Sequence, residues 1–231
     1  MLTGQDDELP GRSAALARFA ALLTAEPWSI TPDIPDLFAR HGLDTHAVRT
    51  ATGVVAMFNY LTRVADASGI EFDYPSPLPE FQPERDQKPV ARPDREFWPM
   101  VADGRDAAMS EPWRHWREYL FDSAEPLSHR ERRLLARAAA QECCDRWQAD
   151  ELAEYAPRDD RDALLDSFAR KLSRTPWQMA PADLQTLRDA GYAEQAVLHV
   201  ISVTALQNAE SRLALGNALT SRQEPPLPSR G

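Results

Sequence analysis

The chain has almost nothing from which a β-sheet or a disulfide scaffold could be built. Only 9 of its 231 residues are glycine and two are cysteine, and alternating runs of β-branched residues, the mark of a half-buried strand, are missing. Low cysteine use excludes the disulfide-stapled class of small domains. The longest apolar runs, such as residues 54–58, fall far short of the ~20 residues of a membrane helix. These absences lead us to expect a cytoplasmic, reducing setting and no membrane partner. A basic cluster is also lacking: 26 Lys and Arg stand against 36 Asp and Glu, a net charge of −10. Phosphate would find no footing on such a surface, so no nucleic-acid partner is expected. The five histidines, His41, His46, His115, His129 and His199, show no metal-ligand spacing, and neither a metal nor a cofactor is expected.

What the sequence does contain is helical periodicity and proline. Apolar residues recur at helical spacing in segment after segment, which predicts an all-α fold. Seven prolines fall between Tyr74 and Pro99; they remove backbone donors and bias their predecessors away from helix, so this stretch reads as a connector. The chain divides into an N-terminal helical unit (1–73), the Pro-rich connector (74–99), a helical core (100–220) and a frayed tail (221–231).

A repeat organises both helical parts. Shifted by 149 positions, residues 14–65 match residues 163–214 at 16 of 52 places, among them Pro27/Pro176, Trp28/Trp177, Pro32/Pro181, Gly42/Gly191, Asn59/Asn208 and Arg63/Arg212. Each unit reads as a helix, a Pro-Trp turn, a short helix and a long helix. Pro32 and Pro181 suit the first turn of the short helix, and Gly42 and Gly191 its left-handed C-terminal cap. On the first long helix, Val48, Ala51, Val55, Phe58 and Leu61 form the stripe expected to pack in the core.

Both cysteines lie in "QECCDRWQAD", residues 141–150. A helix capped by Ser128 with Glu131 at the third position should run from about His129 through them. Adjacent helical side chains diverge by about 100° and their Cα atoms are only about 3.8 Å apart. A Cys143–Cys144 disulfide is therefore unfavourable.

The order "PLSHRERRLLARAAAQECC", then "LLDSFARKLSRTPWQMAPADLQTLRDAGYAEQAVLHVISVTALQNAESRLA", resembles the AhpD-like alkylhydroperoxidase and carboxymuconolactone decarboxylase superfamily, in its peroxidase-related branch. "VVAMFNYLTRVADASGIEFDYP" resembles the same family's ending a second time. The resemblance implies an AhpD-like helical domain with an internal duplication of the helices that follow the redox motif. It also implies a homo-oligomer and, as partners, a small-molecule ligand or a thiol reductant. Peroxidase members carry C-x-x-C-x-x-x-H with a glutamate twelve residues ahead of the first cysteine. With Cys143 as first cysteine, Glu131 holds the glutamate place, Arg146 stands for the second cysteine and Asp150 for the histidine. With Cys144 first, Trp147, Glu151 and Arg132 fill those places; with either cysteine second, Ala140 or Gln141 comes first and Trp147 or Gln148 last. No register restores the motif, and only the first keeps the glutamate, about 18 Å away along a continuous helix.

The family therefore implies a hydroperoxide reductase whose thiol chemistry is impaired or lost, and the cysteine pair reads as structural or vestigial. Asn59/Arg63 and Asn208/Arg212, spaced i, i+4, read as buried hydrogen-bonding pairs that lock the repeat. The six tryptophans read as core and interface packing. Glu210 and Gln207 replace Leu61 and Phe58 on the second long helix; Glu210 should face solvent or pair with an arginine, with a general base of raised pKa as the alternative. Two further functions stay open: a non-catalytic binding or scaffold protein, and a cofactor-free lyase or isomerase using Glu210 or Glu131.

Overall fold

A computed structural model describes residues 11–30, 33–70 and 107–217; the connector, the tail, Pro32 and Trp98 lie outside them. The described residues are helical, with no strand. The helices are α1 (Gly11–Ala25), α2 (Asp33–Arg40), α3 (Thr45–Ser68), α4 (Ala107–Asp122), α5 (His129–Glu142), α6 (Arg146–Glu151), α7 (Asp160–Arg174), α8 (Pro181–Asp189) and α9 (Glu194–Asn217). Single 3-10 turns at Pro27–Ser29 and Pro176–Gln178 follow α1 and α7.

Local chemistry explains these limits. Pro181 occupies the first turn of α8, where its missing N–H is not needed. Gly42 and Gly191 take φ of 67° and 89° after α2 and α8, the left-handed conformation that glycine adopts without steric cost. Asp44 caps α3 by accepting from Ala47 N–H at 2.8 Å. Ser128 and Glu131 form the full capping box of α5.

The shift of 149 residues carries α1 onto α7, the first Pro-Trp turn onto the second, and α3 onto α9, boundary for boundary. The long helices α3 and α9 pack on each other within one chain. At their crossing the backbones come close: a Cβ on Gly216 would stand 2.6 Å from Thr52 Cγ2 and 3.2 Å from Leu23 Cδ2. One core gathers Phe19, Leu23, Phe38 and Val48, with Phe19 edge-on to Phe38 at 5.2 Å. A larger one gathers Leu120, Leu134, Leu165, Leu172 and Val200 beneath α4 and α5.

Three expectations need correction. The helix from His129 does not run through the cysteines: α5 ends at Glu142, Cys143 is its cap, and Cys144 turns left-handed at φ 54° because Asp145 starts α6 by accepting from Gln148 N–H. The α3 stripe splits. Val48 and Val55 enter the core, Ala51 is half-buried, and Phe58 and Leu61 stand 61% and 49% exposed. The face turned to α9 is instead Thr52, Val55, Ala56, Asn59, Arg63 and Ala67, because Asn59 and Arg63 satisfy their polar atoms inside. Among the tryptophans Trp28 is buried and Trp113 packs against the larger core, but Trp116 and Trp177 lie at the surface.

Candidate functional site

The polar centre of the molecule lies where the two long helices meet the ends of α1 and α7. A buried amide or guanidinium is tolerable only if its donors find acceptors. Here they do so twice. On α3, Asn59 Nδ2 donates to Thr24 Oγ1 at 3.0 Å and to Val55 O at 2.9 Å. Arg63 Nη1 donates to Asn59 Oδ1 at 2.7 Å, and its Nη2 crosses to Ser173 O at 3.0 Å. On α9, Asn208 Nδ2 donates to Ser173 Oγ at 2.7 Å and to Thr204 O at 3.0 Å. Arg212 Nη1 donates to Asn208 Oδ1 at 3.1 Å, and its Nη2 crosses to Thr24 O at 2.8 Å.

Thr24 and Ser173 are themselves 149 residues apart, so each bond has its counterpart under the shift. Each asparagine bonds within its own unit and each arginine closes the helix of the other. The acceptors Thr24 O and Ser173 O belong to the last turns of α1 and α7, the negative ends of those helices, which is where a guanidinium is electrostatically favoured. Burial, joined by the charge of Arg212, pulls the Arg63 guanidinium down to about 9. Arg132 does the same work elsewhere: fully buried, it donates to Leu127 O at 3.0 Å and Glu125 O at 2.8 Å, and reaches His199 Nδ1 at 3.1 Å.

Cys143 joins this network on one side only. Its Sγ donates to Asn208 Oδ1 at 3.3 Å and accepts from Arg212 Nη1 at 3.2 Å. The thiol is 2% exposed. Burial pushes its pKa up, against the charges of Arg212 and Arg63. Neither cysteine is in a disulfide, and Cys144 is half-buried on the turn. A peroxidatic thiol must reach its oxidant as a thiolate and have a second thiol to resolve it; Cys143 is protonated, enclosed and already used as a hydrogen-bonding partner.

The other candidates are scattered. Glu131 lies at the opposite end of α5: its Oε2 accepts from Ser128 N–H and its Oε1 from Tyr192 O–H, both at 2.8 Å. Burial would raise its pKa, but the Ser128 and Tyr192 hydrogen bonds and Arg161 hold it below the ordinary value. It caps a helix and does not approach Cys143. Asp150 is exposed on α6.

Of the two expectations for Glu210, the pairing with an arginine holds and the solvated face does not. Glu210 is 2% exposed, and its Oε1 lies 3.0 Å from Arg117 Nε in an ion contact that is not aligned as a hydrogen bond. Burial lifts its pKa to about 7 against Arg117 and Arg133, with Asp145 pushing the same way as burial. Asp145, which sequence reasoning passed over, is equally enclosed. Its Oδ1 accepts from Gln148 N–H at 3.3 Å while Oδ2 has no hydrogen-bond partner. Burial raises this carboxyl to about 6, with the Ser211 hydroxyl acting against it. An aspartate immediately ahead of a short helical stretch is a capping signal that would have found it. The two carboxyls can hold or exchange protons near neutral pH.

No family model, curated protein or solved structure matches the chain.

Proposed function

We propose that the chain is a diverged member of the AhpD-like superfamily, built by duplication of the helices after the redox motif, and that it has lost thiol-dependent hydroperoxide reduction. In this reading the protein works as a binding or scaffold protein of a reducing, cytoplasmic compartment. The observation that carries the loss of activity is Cys143 Sγ held between Arg212 Nη1 and Asn208 Oδ1 inside the helix crossing. A sulfur in that position serves the fold, and Cys144, one residue away with φ 54°, is set on a turn rather than at the i+3 place that a resolving thiol needs. The order of motifs in "PLSHRERRLLARAAAQECC" and the helices beyond supports the family assignment.

The test is turnover of an organic hydroperoxide with a dithiol donor, together with thiol labelling of the native protein. We expect no turnover, and one thiol, Cys144, reacting before unfolding while Cys143 reacts only in denaturant. Turnover that disappears in Cys143→Ser would overturn this reading.

One observation favours a second function. Glu210, raised to about 7 by burial beside Arg117, supports a reading as general base with a cation alongside for an acidic substrate. A cofactor-free lyase or isomerase would lose its activity in Glu210→Gln and keep it in Cys143→Ser.

A further inference from the structure

The buried arginines are accounted for by the helix ends they close, but the outer face of α3 carries apolar side chains that nothing in the described residues covers. Of the eight exposed large hydrophobic side chains among the described residues, three are Val54, Phe58 and Leu61 on this helix, exposed by 50%, 61% and 49%, and a fourth, Ile70, follows its cap. Single exposed apolar residues are ordinary, but a row on one helix face is not. The row is longer than its large members. Val54, Phe58, Leu61 and the half-buried Ala65 follow one another at spacings of four, three and four, the pattern of a coiled-coil seam, while Ala47 and Ala51, earlier on the same line, pack against the core of the N-terminal unit. The equivalent line on α9, Val203, Gln207 and Glu210, is fully enclosed within the chain.

We propose that this outer face of α3 pairs with the same face of a second copy of the chain, as an antiparallel helix pair about a twofold axis.

Two observations select a second copy over another partner. The first is charge. The chain carries −10 overall, yet between Arg49 and Arg63 thirteen successive residues are uncharged, and Arg63 itself points inward at 4% exposure. Two strongly acidic copies repel wherever carboxylates meet, so they can associate only through a face that has none. A charged partner, by contrast, would find nothing here to read. The second is self-complementarity, which a twofold interface requires. Run antiparallel, the seam sets Phe58 against the partner's Leu61 and Val54 against the partner's Ala65, so large side chains meet in the centre and small ones take the flanks. The contact runs from Val54 to Ala65, about 17 Å of helix, which places it at the small end of specific interfaces and predicts a dimer that dissociates in the micromolar range or above.

Sedimentation equilibrium of the full chain across the micromolar range tests this. We expect a monomer–dimer equilibrium that Phe58→Glu weakens by at least about tenfold, while Leu198→Glu, at an equally exposed leucine on α9, leaves it unchanged. Circular dichroism should be the same for all three, since both positions face outward. Maleimide labelling of Val54→Cys, measured against the native thiols, should slow as the dimer forms. A chain that stays monomeric throughout would overturn the proposal, as would a dimer that Phe58→Glu does not weaken. So would labelling of Val54→Cys that is slow and independent of concentration, which would mean that the face is covered within its own chain.

Discussion

Removing the guanidinium of Arg212 while keeping its apolar stem, in Arg212→Met, tests whether the crossed network holds the two units together. The side chain gives up donors to Thr24 O at 2.8 Å, Asn208 O at 3.0 Å, Asn208 Oδ1 at 3.1 Å and Cys143 Sγ at 3.2 Å. A hydrogen bond from a charged donor is worth about 1.5–3 kcal/mol net, and a buried acceptor left bare costs about 1–3 kcal/mol. Relief of the guanidinium's own desolvation and of its repulsion with Arg63 offsets part of this, so about 3 kcal/mol should remain. For a protein of this size that is a fall in Tm of about 6–12 °C. Urea unfolding followed by circular dichroism gives the free energy, and amide exchange should show the last turn of α1 opening first. Because Arg63 and Arg212 repel across the crossing, each single variant already relieves that repulsion, so the double variant with Arg63→Met should cost more than the two single losses together. A loss below about 1 kcal/mol, or exchange that rises evenly over the whole chain, would refute the idea that these bonds dock α1 on α9.

Three other outcomes follow from named contacts. Glu210 folds with a pKa of about 7 against an ordinary 4.5, so the folded state binds the extra proton; its contribution is fully present below pH about 4.5 and is lost as pH rises through about 7. Glu210→Gln should therefore flatten the decline in stability between pH about 5 and 7 and leave the variant more stable than the parent at pH about 8, by about 2–3 kcal/mol in urea titrations. Gly216→Ala pushes a methyl to within 2.6 Å of Thr52 Cγ2 and should cost about 1–3 kcal/mol in the same assay. Glu131→Ala should cost about 1 kcal/mol through loss of the capping box, and leave the labelling rate of Cys144 unchanged.

Sequence reasoning found the elements because their ends are marked locally. Pro181, Gly191, Gly42 and the Ser128–Glu131 pair announce themselves within four residues of the backbone they control. The pairing of Asn59 with Arg63 and of Asn208 with Arg212 was likewise visible as i, i+4 spacing. What it could not reveal was which line of α3 goes inside. A hydrophobic count favours Phe58 and Leu61; the buried line runs through Asn59 and Arg63 because their acceptors, Thr24 Oγ1 and Ser173 O, lie 35 and 110 residues away. The same holds for Glu210, whose partner Arg117 sits on α4. The break at Cys143 was missed because the Ala-rich run looks continuous, while the stop comes from Asp145 capping the following helix.

The crossed arginines have a consequence for how the molecule comes apart. Arg63 completes the end of α7, and Arg212 completes the end of α1. Neither unit on its own therefore owns all the groups that finish its helices. A fluctuation that frees one arginine bares a carbonyl in its neighbour, so opening spreads from half to half instead of stopping at the crossing. The smallest thing that can fold, or be left standing by a protease, is the pair.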